Sequence, residues 1–380
     1  MRFIPYGHQC IGPDDIAAVD EVLRGDWLTT GPKIREFEDS LSGSIGCRYA
    51  TAVNSGTSAL DISLQALDLP PGAEVITTPF TFVATPNAIL YNRLRPVFVD
   101  IRSDTRNIDP EAIDDHITRN TRAIITVDYA GLPSSLDDIR EIAREHDLVL
   151  IEDACHALGA SYRGRKIGTL ADMTVFSFHP VKAITTGEGG AVVTDDRRLD
   201  NRFRILRSHG IDREAGGKYD GGAGWGYDML YLGRNYRMTD IQAALGISQL
   251  AKLDTFLARR REIAALYTDL LGDSPQIEVP EVSPDTVHAW HLYTVLLRGV
   301  PRDEFFRYMR SRQVGVNLHY IPVYQFTYYR DAMPQNPSSF PVTEDVYSRI
   351  ISLPLHPLMT DEEVHYVAES AIRGCQLYAR

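Results

Sequence analysis

The residue with the clearest chemical potential in this chain is a lysine beside a glycine-rich turn. Lys182 follows an apolar run at 173–178 and precedes the turn GEGG at 187–190. The chain of 380 residues has five lysines among 39 basic residues, and the others lie in charged or turn-like segments: Lys33, Lys166, Lys218 and Lys252. Partial burial at a strand end lowers the pKa of a lysine and favours Schiff-base formation. Lys182 is therefore the candidate nucleophile, and an ordinary surface lysine in a turn is the alternative.

A carboxylate at the end of an earlier apolar run is the second candidate. Asp153 closes LVLIED at 148–153. The carboxyl end of a parallel strand faces the crevice where such sheets bind ligands, and an acid there can hold a proton on a pyridine nitrogen. A helix N-cap is the alternative. Cys155 and His156 follow, but no companion cluster has the spacing of metal ligands, so no metal is predicted.

Two further segments add a phosphate cradle and a stacking ring. In VNSGTSALDISLQAL (53–67) a strand leads through small hydroxyl residues into a helix, whose free N–H groups suit a phosphate. An ordinary helix capped by Ser55 or Thr57 is equally compatible with this pattern. In PFTFVATPNAI (79–89), Phe82 could lie flat on an aromatic ring, although its spacing also suits the core. Cradle, ring, acid and lysine together predict a pyridoxal phosphate (PLP) site, and the glycine motifs of nucleotide-binding loops are absent.

The elements that must position these residues alternate between strands and helices. Apolar, β-rich runs lie at 49–53, 74–78, 95–100, 121–128, 148–153, 173–178 and 190–195. Helical patterns separate several of them, which predicts an α/β fold with a mostly parallel sheet. The last two runs lie too close together for a crossover helix, so they predict a hairpin or an antiparallel strand.

The second half of the chain predicts a smaller domain. A glycine-rich stretch at 210–233 has no periodicity, and such a long loop is usually functional or mobile. One long helix or two follow at 239–271, then a strand at 288–297 and helices near 302–313 and 361–378. We predict a large cofactor-binding domain at 1–250 and a small α+β domain at 251–380.

Composition excludes several classes of protein. The formal net charge of −12 argues against nucleic-acid binding, which needs clustered positive charge. No run approaches the length of a membrane span, and the first residues lack the pattern of a signal peptide. Four cysteines without paired spacing predict neither disulfides nor a zinc ribbon. A cytoplasmic enzyme is the expectation.

The motifs, taken together, resemble the DegT/DnrJ/EryC1/StrS family of sugar-nucleotide aminotransferases. The resemblance covers nearly the whole chain and rests on these segments in order: GPDDIAAVDEVLRGDWLTTGPKIREFE, SGTSAL, TPFTFVATPNAI, VDYAG, IEDACHALGA, FSFHPVK, GEGGAVVTD, GRNYRMTDIQAALGISQL and SLPLHPLMT. It implies the PLP-dependent transferase fold type I, like that of aspartate aminotransferase. A mostly parallel, seven-stranded sheet would form the large domain, beside a small α+β C-terminal domain.

The resemblance also implies which residues act. The positions that match cofactor-binding residues of the family are Gly56, Thr57, Phe82, Asp153, His156, Ser177, Lys182 and Asn235. Lys182 would bind PLP covalently and move protons, Asp153 would pair with the pyridine nitrogen, and His156 would lie beside the ring. Asn235 would reach the phosphate from a neighbouring subunit, which implies a homodimer with shared sites and a bridging role for the preceding loop.

The substrate is less sharply implied. LHYIPVYQFTYYR (318–330) and RSHGI (207–211) resemble transaminases of pseudaminic acid biosynthesis. Those use L-glutamate to aminate C4 of UDP-2-acetamido-2,6-dideoxy-β-L-arabino-hexos-4-ulose. HAWHLY and SLPLHPLMT also resemble enzymes that act on a UDP-pentos-4-ulose. His319 and Tyr320 could contact the sugar nucleotide or simply pack, while His288 and His291 are interpreted as structural residues on a strand.

Two other functions remain open at this level. Some relatives carry histidine in place of the cofactor lysine and act as PLP-dependent sugar dehydratases; the lysine of this chain favours transamination. A catalytically silent protein that binds sugar nucleotides is the third hypothesis.

Overall fold

The structure is a computed structural model that describes residues 2–213, 215 and 217–379. Its helices are α1 Pro13–Arg24, α2 Pro32–Ile45, α3 Gly56–Gln65, α4 Ala84–Tyr91, α5 Leu136–Glu145, α6 Arg197–Leu206, α7 Gly217–Asp220, α8 Asp240–Leu250, α9 Leu253–Leu271, α10 Arg302–Ser311, α11 Thr327–Ala332, α12 Pro341–Arg349 and α13 Asp361–Tyr378. Its strands are β1 Tyr49–Val53, β2 Glu74–Thr77, β3 Arg95–Phe98, β4 Thr121–Val127, β5 Val149–Asp153, β6 Ser161–Tyr162, β7 Arg165–Lys166, β8 Met173–Ser177, β9 Gly190–Thr194, β10 Ile211–Asp212, β11 Asp228–Met229, β12 Ile277–Glu278, β13 Thr286–Val287, β14 Tyr293–Leu297 and β15 Ile350–Leu353.

The predicted sheet has seven strands in the order β1-β9-β8-β5-β4-β2-β3. The strands β8, β5, β4, β2 and β3 lie side by side in this order, and each pairs in parallel with the next. The strand β9 runs antiparallel to both β8 and β1. The α/β fold with a mostly parallel sheet and the antiparallel hairpin are therefore confirmed. Because the parallel strands all end at one edge, the segments that follow β1, β5 and β8 meet there.

Packing explains why the sheet is so apolar in sequence. Helices cover the sheet, so residues on both of its faces are buried, such as Ala52, Val175 and Val192. A separate core is built from β14, β15 and the helices α9, α10 and α13, and Ile4 near the N-terminus packs into it. The division at 250/251 stays a prediction.

The C-terminal half departs from its local sequence patterns in one place. The helical pattern at 239–271 forms the two helices α8 and α9, and α13 spans 361–378 as expected. The strand expected at 288–297 is wrong in its first half, because β14 begins at Tyr293. Trp290 has φ of 50°, a left-handed conformation that no regular strand accommodates.

The glycine-rich stretch at 210–233 contains more structure than its composition indicates. Its ends pair as β10 and β11, and the described part includes the short helix α7. The Asp220 carboxylate accepts hydrogen bonds from the N–H groups of Gly222, Gly224 and Gly226 at 2.6–2.8 Å. Among the described helices, none is both long and apolar enough to cross a membrane.

Candidate active site

A cavity of about 800 Å³ opens at the carboxyl edge of the sheet. The turn from β1 into α3 forms one wall, the ends of β5 and β8 form its floor, and the segment at 317–321 closes it from the C-terminal half. Seven of the eight predicted cofactor-binding residues line it: Gly56, Thr57, Phe82, Asp153, His156, Ser177 and Lys182. His319 and Tyr320 line it too.

The predicted phosphate cradle is the start of α3. Ser55 caps this helix, since its side chain accepts from the N–H of Ser58 at 3.0 Å. A Cβ atom on Gly56 would lie 2.9 Å from the Cβ of Ser177, so only glycine allows this close approach. This cap uses the N–H of Ser58, and Gly56, Thr57 and Ser177 line the cavity beside it, so the cap is compatible with the predicted phosphate site.

Asp153 ends β5 inside the cavity and does not cap a helix. Its side chain is almost fully buried, and the Thr85 hydroxyl donates to it at 2.7 Å. The N–H of Cys155 donates to the second oxygen at 3.2 Å. Both carboxylate oxygens of Asp153 are therefore held by donors at the cavity.

Lys182 lies at the cavity after β8, as the sequence predicts. Burial lowers the pKa of its amine, while Cys155 and Asp153 act in the opposite direction. Lys33 and Lys252 are held in ion pairs with acidic residues, and the Lys166 amine donates to the carbonyl oxygen of Ser44. The Lys218 side chain lies outside the described part of the chain. Lys182 is thus the lysine at the cavity among those described.

Aromatic rings surround the space in front of Asp153. The Phe82 side chain is 57% exposed, so it is not the core residue that its spacing allowed. The Tyr320 ring lies 6.1 Å from that of Phe82, and its hydroxyl is 3.1 Å from Nε2 of His156. Burial lowers the pKa of His156, which keeps the imidazole neutral.

Sequence reasoning did not place His291 at the cavity. Its ring centroid lies 4.3 Å from that of His156, and Nδ1 of each ring has no hydrogen-bond partner among the described residues. Burial lowers the pKa of His291 as well. By contrast, His288 stacks on Trp290 at 3.9 Å and does not line this cavity. The two histidines of HAWHLY were the available sequence signal. We interpreted both as strand residues, but β14 begins only after them, at Tyr293.

His319 is fixed from three sides. Tyr129 donates from its hydroxyl to the His319 carbonyl oxygen at 2.5 Å, and Nδ1 of His319 is 2.8 Å from the Ser352 hydroxyl. Its ring lies 5.3 Å from that of Tyr6, another cavity residue. Burial lowers the pKa of His319 to about 4, so it is neutral at physiological pH.

Asn235 is the predicted cofactor residue that lies outside this cavity. Its side chain is exposed, while its carbonyl oxygen lies 3.5 Å from the side-chain amide of Asn54, directly before the cradle. Within one chain the structure therefore does not bring Asn235 into the cavity with the other seven residues. The described residues contain no group of three or more acidic, histidine or cysteine side chains placed to hold a metal ion.

A buried pair of acids lies beneath the cavity floor. Asp128 follows β4, and Glu152 is the neighbour of Asp153 in β5; Oδ2 of Asp128 and Oε1 of Glu152 are buried and have no hydrogen-bond partner among the described residues. Burial raises the pKa of both groups, that of Glu152 to about 7. The Thr174 hydroxyl donates to Glu152 at 2.7 Å and favours its ionised form.

This pair makes stability depend on pH. The unfolded chain releases the Glu152 proton near the ordinary glutamate pKa of 4.5, whereas the folded chain keeps it until about 7. Its contribution to stability is therefore full at low pH and is lost as pH rises through 7. Glu152→Gln keeps an acceptor for the Thr174 hydroxyl and removes the titrating group, so we expect the free energy of unfolding near pH 8 to rise by about 1 kcal/mol or more.

Urea unfolding at about pH 5.5 and about pH 8.5 measures this effect. The matched control is Glu145→Gln at the exposed end of α5, which should leave the pH dependence unchanged. An identical loss of stability with pH in Glu152→Gln and the wild type would contradict the raised pKa of Glu152.

Fold and cavity together define an enzyme of the PLP-dependent aminotransferase class. Residues 9–372 match the DegT/DnrJ/EryC1/StrS aminotransferase family, and the chain belongs to this family. It is 39% identical over 374 residues to the spore coat polysaccharide biosynthesis protein SpsC of Bacillus subtilis, covering 97% of this chain and 96% of SpsC. It is 44% identical over 366 residues to an uncharacterised protein of Methanocaldococcus jannaschii, covering 95% of each.

Solved structures agree with this assignment. Helicobacter pylori PseC, an aminotransferase involved in the biosynthesis of pseudoaminic acid, superposes with a TM-score of 0.94 at 33% identity, covering 99% of this chain and 100% of PseC. The PLP form of a putative sugar aminotransferase from Streptococcus pneumoniae gives 0.92 at 30% identity, covering 99% of each chain. The protein is a PLP-dependent sugar aminotransferase.

The residues present fit this cofactor. The start of α3 suits the cofactor phosphate, because Gly56 has no Cβ atom to crowd the site. The buried Asp153 carboxylate, which is held by two donors, suits a protonated pyridine nitrogen. Phe82, which is exposed, and His156, whose imidazole is neutral, both line the cavity, and each has its ring 6.1 Å from that of Tyr320. Lys182 lines the same cavity, where its amine could bind the cofactor.

Proposed function

We propose that this enzyme transfers the amino group of L-glutamate to C4 of UDP-2-acetamido-2,6-dideoxy-β-L-arabino-hexos-4-ulose, in the biosynthesis of a cell-surface or flagellin glycan that contains pseudaminic acid. The observation that carries the proposal is the likeness to PseC over 99% of the chain, which includes the segment with His319 and Tyr320. The cytoplasmic location stays a prediction.

The cavity wall from the C-terminal half suits a 6-deoxy sugar. Ile321 and Phe326 are partly exposed and place apolar surface on the cavity, where a C6 methyl group would be favoured over water. His319 and Tyr320 add polar atoms that can orient sugar hydroxyl or acetamido groups. A pentose lacks the methyl group and would leave part of this apolar surface uncovered.

Lys182 is proposed as the group that moves protons. Bound PLP supplies an electron sink for the bond changes at the reacting carbon. The Lys182 amine accepts a proton from the carbon that bears the amino group of glutamate, and later donates one to C4 of the sugar. An amine must be unprotonated to accept a proton, so the lowered pKa of Lys182 favours this role.

The other proposed site residues bind and orient the cofactor. Asp153 keeps a proton on the ring nitrogen, and Thr85 fixes that carboxylate through its hydroxyl. Gly56, Thr57 and Ser177 bind the phosphate at the start of α3. Phe82 and His156 would hold the ring, and the Tyr320 hydroxyl contacts the His156 imidazole and would keep it in place.

A homodimer with shared sites is part of the proposal. Asn235 is exposed beside Asn54, so it is available to a second copy rather than to its own cavity. Nearby side chains of the 210–233 segment are apolar and exposed, Trp225 at 66% and Leu232 at 73%. Contact with a second copy would bury this surface.

A panel of 4-keto sugar nucleotides with L-glutamate, read by mass spectrometry, tests the substrate. We expect kcat/KM for the hexos-4-ulose to exceed that for a UDP-pentos-4-ulose by roughly tenfold or more, since one methyl group in an apolar pocket contributes at least that much. A preference for the pentose would contradict the substrate but leave the reaction class intact. Turnover of the keto sugar without consumption of glutamate would instead show a dehydratase.

A further inference from the structure

The cavity as one chain builds it has too little positive charge for its substrates. Its charged lining residues are Lys182, Asp153 and Glu188, one cation against two carboxylates. The three buried histidines that line it have lowered pKa values and are neutral. No arginine among the described residues lines the cavity, although the chain is rich in arginine.

The amino donor requires a cation that this lining does not offer. Glutamate carries two carboxylates, and the start of α3 is already assigned to the cofactor phosphate. Lys182 is the group that exchanges protons and cannot also stay paired with a carboxylate. A planar guanidinium, which binds a carboxylate through two parallel hydrogen bonds, is the side chain best suited to complete the site.

The segment after the glycine-rich loop presents such a group. Arg234 and Tyr236 point toward the body of the chain, since Nε of Arg234 and the Tyr236 hydroxyl both contact the Asp61 carboxylate, at 3.2 and 2.8 Å. The residues on either side of Tyr236 have no part in these contacts: the Asn235 side chain is exposed, and Arg237 is half-buried.

Arg237 is uncommitted within its own chain. It forms no ion pair or side-chain hydrogen bond with any other residue that the structure describes, and it does not line its own cavity. Its segment nevertheless lies next to the cradle, because the N–H of Asn54 donates to the carbonyl oxygen of Tyr236 at 2.9 Å. The neighbouring apolar surface at Trp225 and Leu232 suits an isologous contact with a second copy.

We propose that Arg237 of one subunit binds a carboxylate of the amino donor in the cavity of its partner. This inference rests on the proposed homodimer and on glutamate as donor. It makes Arg237 a substrate-binding residue that acts across the interface, and it explains why no arginine of the described residues lines the cavity of a single chain. Each site is then incomplete until two chains meet.

The half-reaction with glutamate alone tests the role of the guanidinium. Spectroscopic conversion of the cofactor gives the glutamate affinity of the holoenzyme, and we expect Arg237→Gln to weaken it roughly ten- to a hundredfold, the range for a charged hydrogen-bonded pair. The glutamate affinity of Arg237→Lys should lie between those of the wild type and Arg237→Gln. Arg140→Gln, an exposed site on α5, is the matched control and should match the wild type.

Mixed dimers test whether Arg237 acts across the interface. Lys182→Ala and Arg237→Gln chains are each inactive at low glutamate, but a heterodimer contains one site with Lys182 from one chain and Arg237 from the other. An equal mixture that has exchanged subunits should recover about a quarter of the wild-type activity, since half of the dimers are mixed and each has one complete site. No recovery would overturn the assignment across the interface.

The outcomes separate this inference from the proposed function. Unchanged glutamate affinity in Arg237→Gln and Arg237→Lys overturns the inference while wild-type transamination still stands. Weakened binding of the aminated sugar nucleotide in the reverse half-reaction, with glutamate unaffected, also overturns it, because Arg237 would then bind the diphosphate. Failure of the wild type to react with glutamate, or a monomer by sedimentation, would contradict the proposed function itself.

Discussion

Lys182→Ala is expected to lower the rate of glutamate-dependent amination by about 10⁴ or more, because one side chain supplies both the amine that binds the cofactor and the general base. The described part of the chain brings no second lysine into the cavity that could take over. The reaction is measured by mass spectrometry of the aminated sugar nucleotide. Added PLP should not restore it, since the loss lies in the proton transfers as well as in cofactor binding.

The same variant identifies the lysine chemically. Borohydride reduction of the wild-type holoenzyme, followed by peptide mass mapping, should find the cofactor mass on the peptide that contains residue 182. Lys166→Ala is the matched control, because that amine is exposed, donates to the Ser44 carbonyl oxygen and does not line the cavity. A cofactor adduct on another lysine, or substantial turnover by Lys182→Ala, would show that the catalytic assignment is wrong.

Much of the fold and site was predictable because its signals are local. Asp153 and Lys182 each lie at or just after the end of a short apolar strand, and the cradle directly follows another. Once these strands are taken as parallel, geometry requires their ends to meet at one edge of the sheet. Sequence alone could not decide whether Phe82 lies in the core, since that depends on what covers α4; its exposure at the cavity decides the question.

What escaped prediction depends on contacts between distant segments. Asp128 and Glu152 are 24 positions apart, and they meet because β4 pairs with β5 in the register that sets Val127 opposite Asp153. His291 reaches the cavity because Trp290 adopts a left-handed conformation that delays the start of β14. Neither feature has a periodic signature in its own segment. Similarly, the missing cation becomes visible only when the whole cavity lining is known.

Asp153→Asn is expected to lower kcat by about 10²–10³, the range found when one preorganised charge partner of a developing charge is removed. Asparagine keeps the size of the side chain and a partner for the Thr85 hydroxyl, so the fold should be preserved. The lost negative charge means that the ring nitrogen no longer keeps its proton, and the ring withdraws electrons less strongly. Cofactor affinity should change far less than kcat, because the phosphate cradle is untouched.

A second variant separates charge from orientation at this carboxylate. Thr85→Val removes the 2.7 Å hydrogen bond but leaves the Asp153 charge, so we expect a fall in kcat of only about tenfold. Rates come from single-turnover reactions with saturating glutamate, and cofactor affinity from equilibrium dialysis. Similar losses in both variants would mean that Asp153 acts mainly through its position. A kcat for Asp153→Asn within about twofold of the wild type would contradict its pairing with the ring nitrogen, since a difference of that size is far below the effect of a lost charge partner.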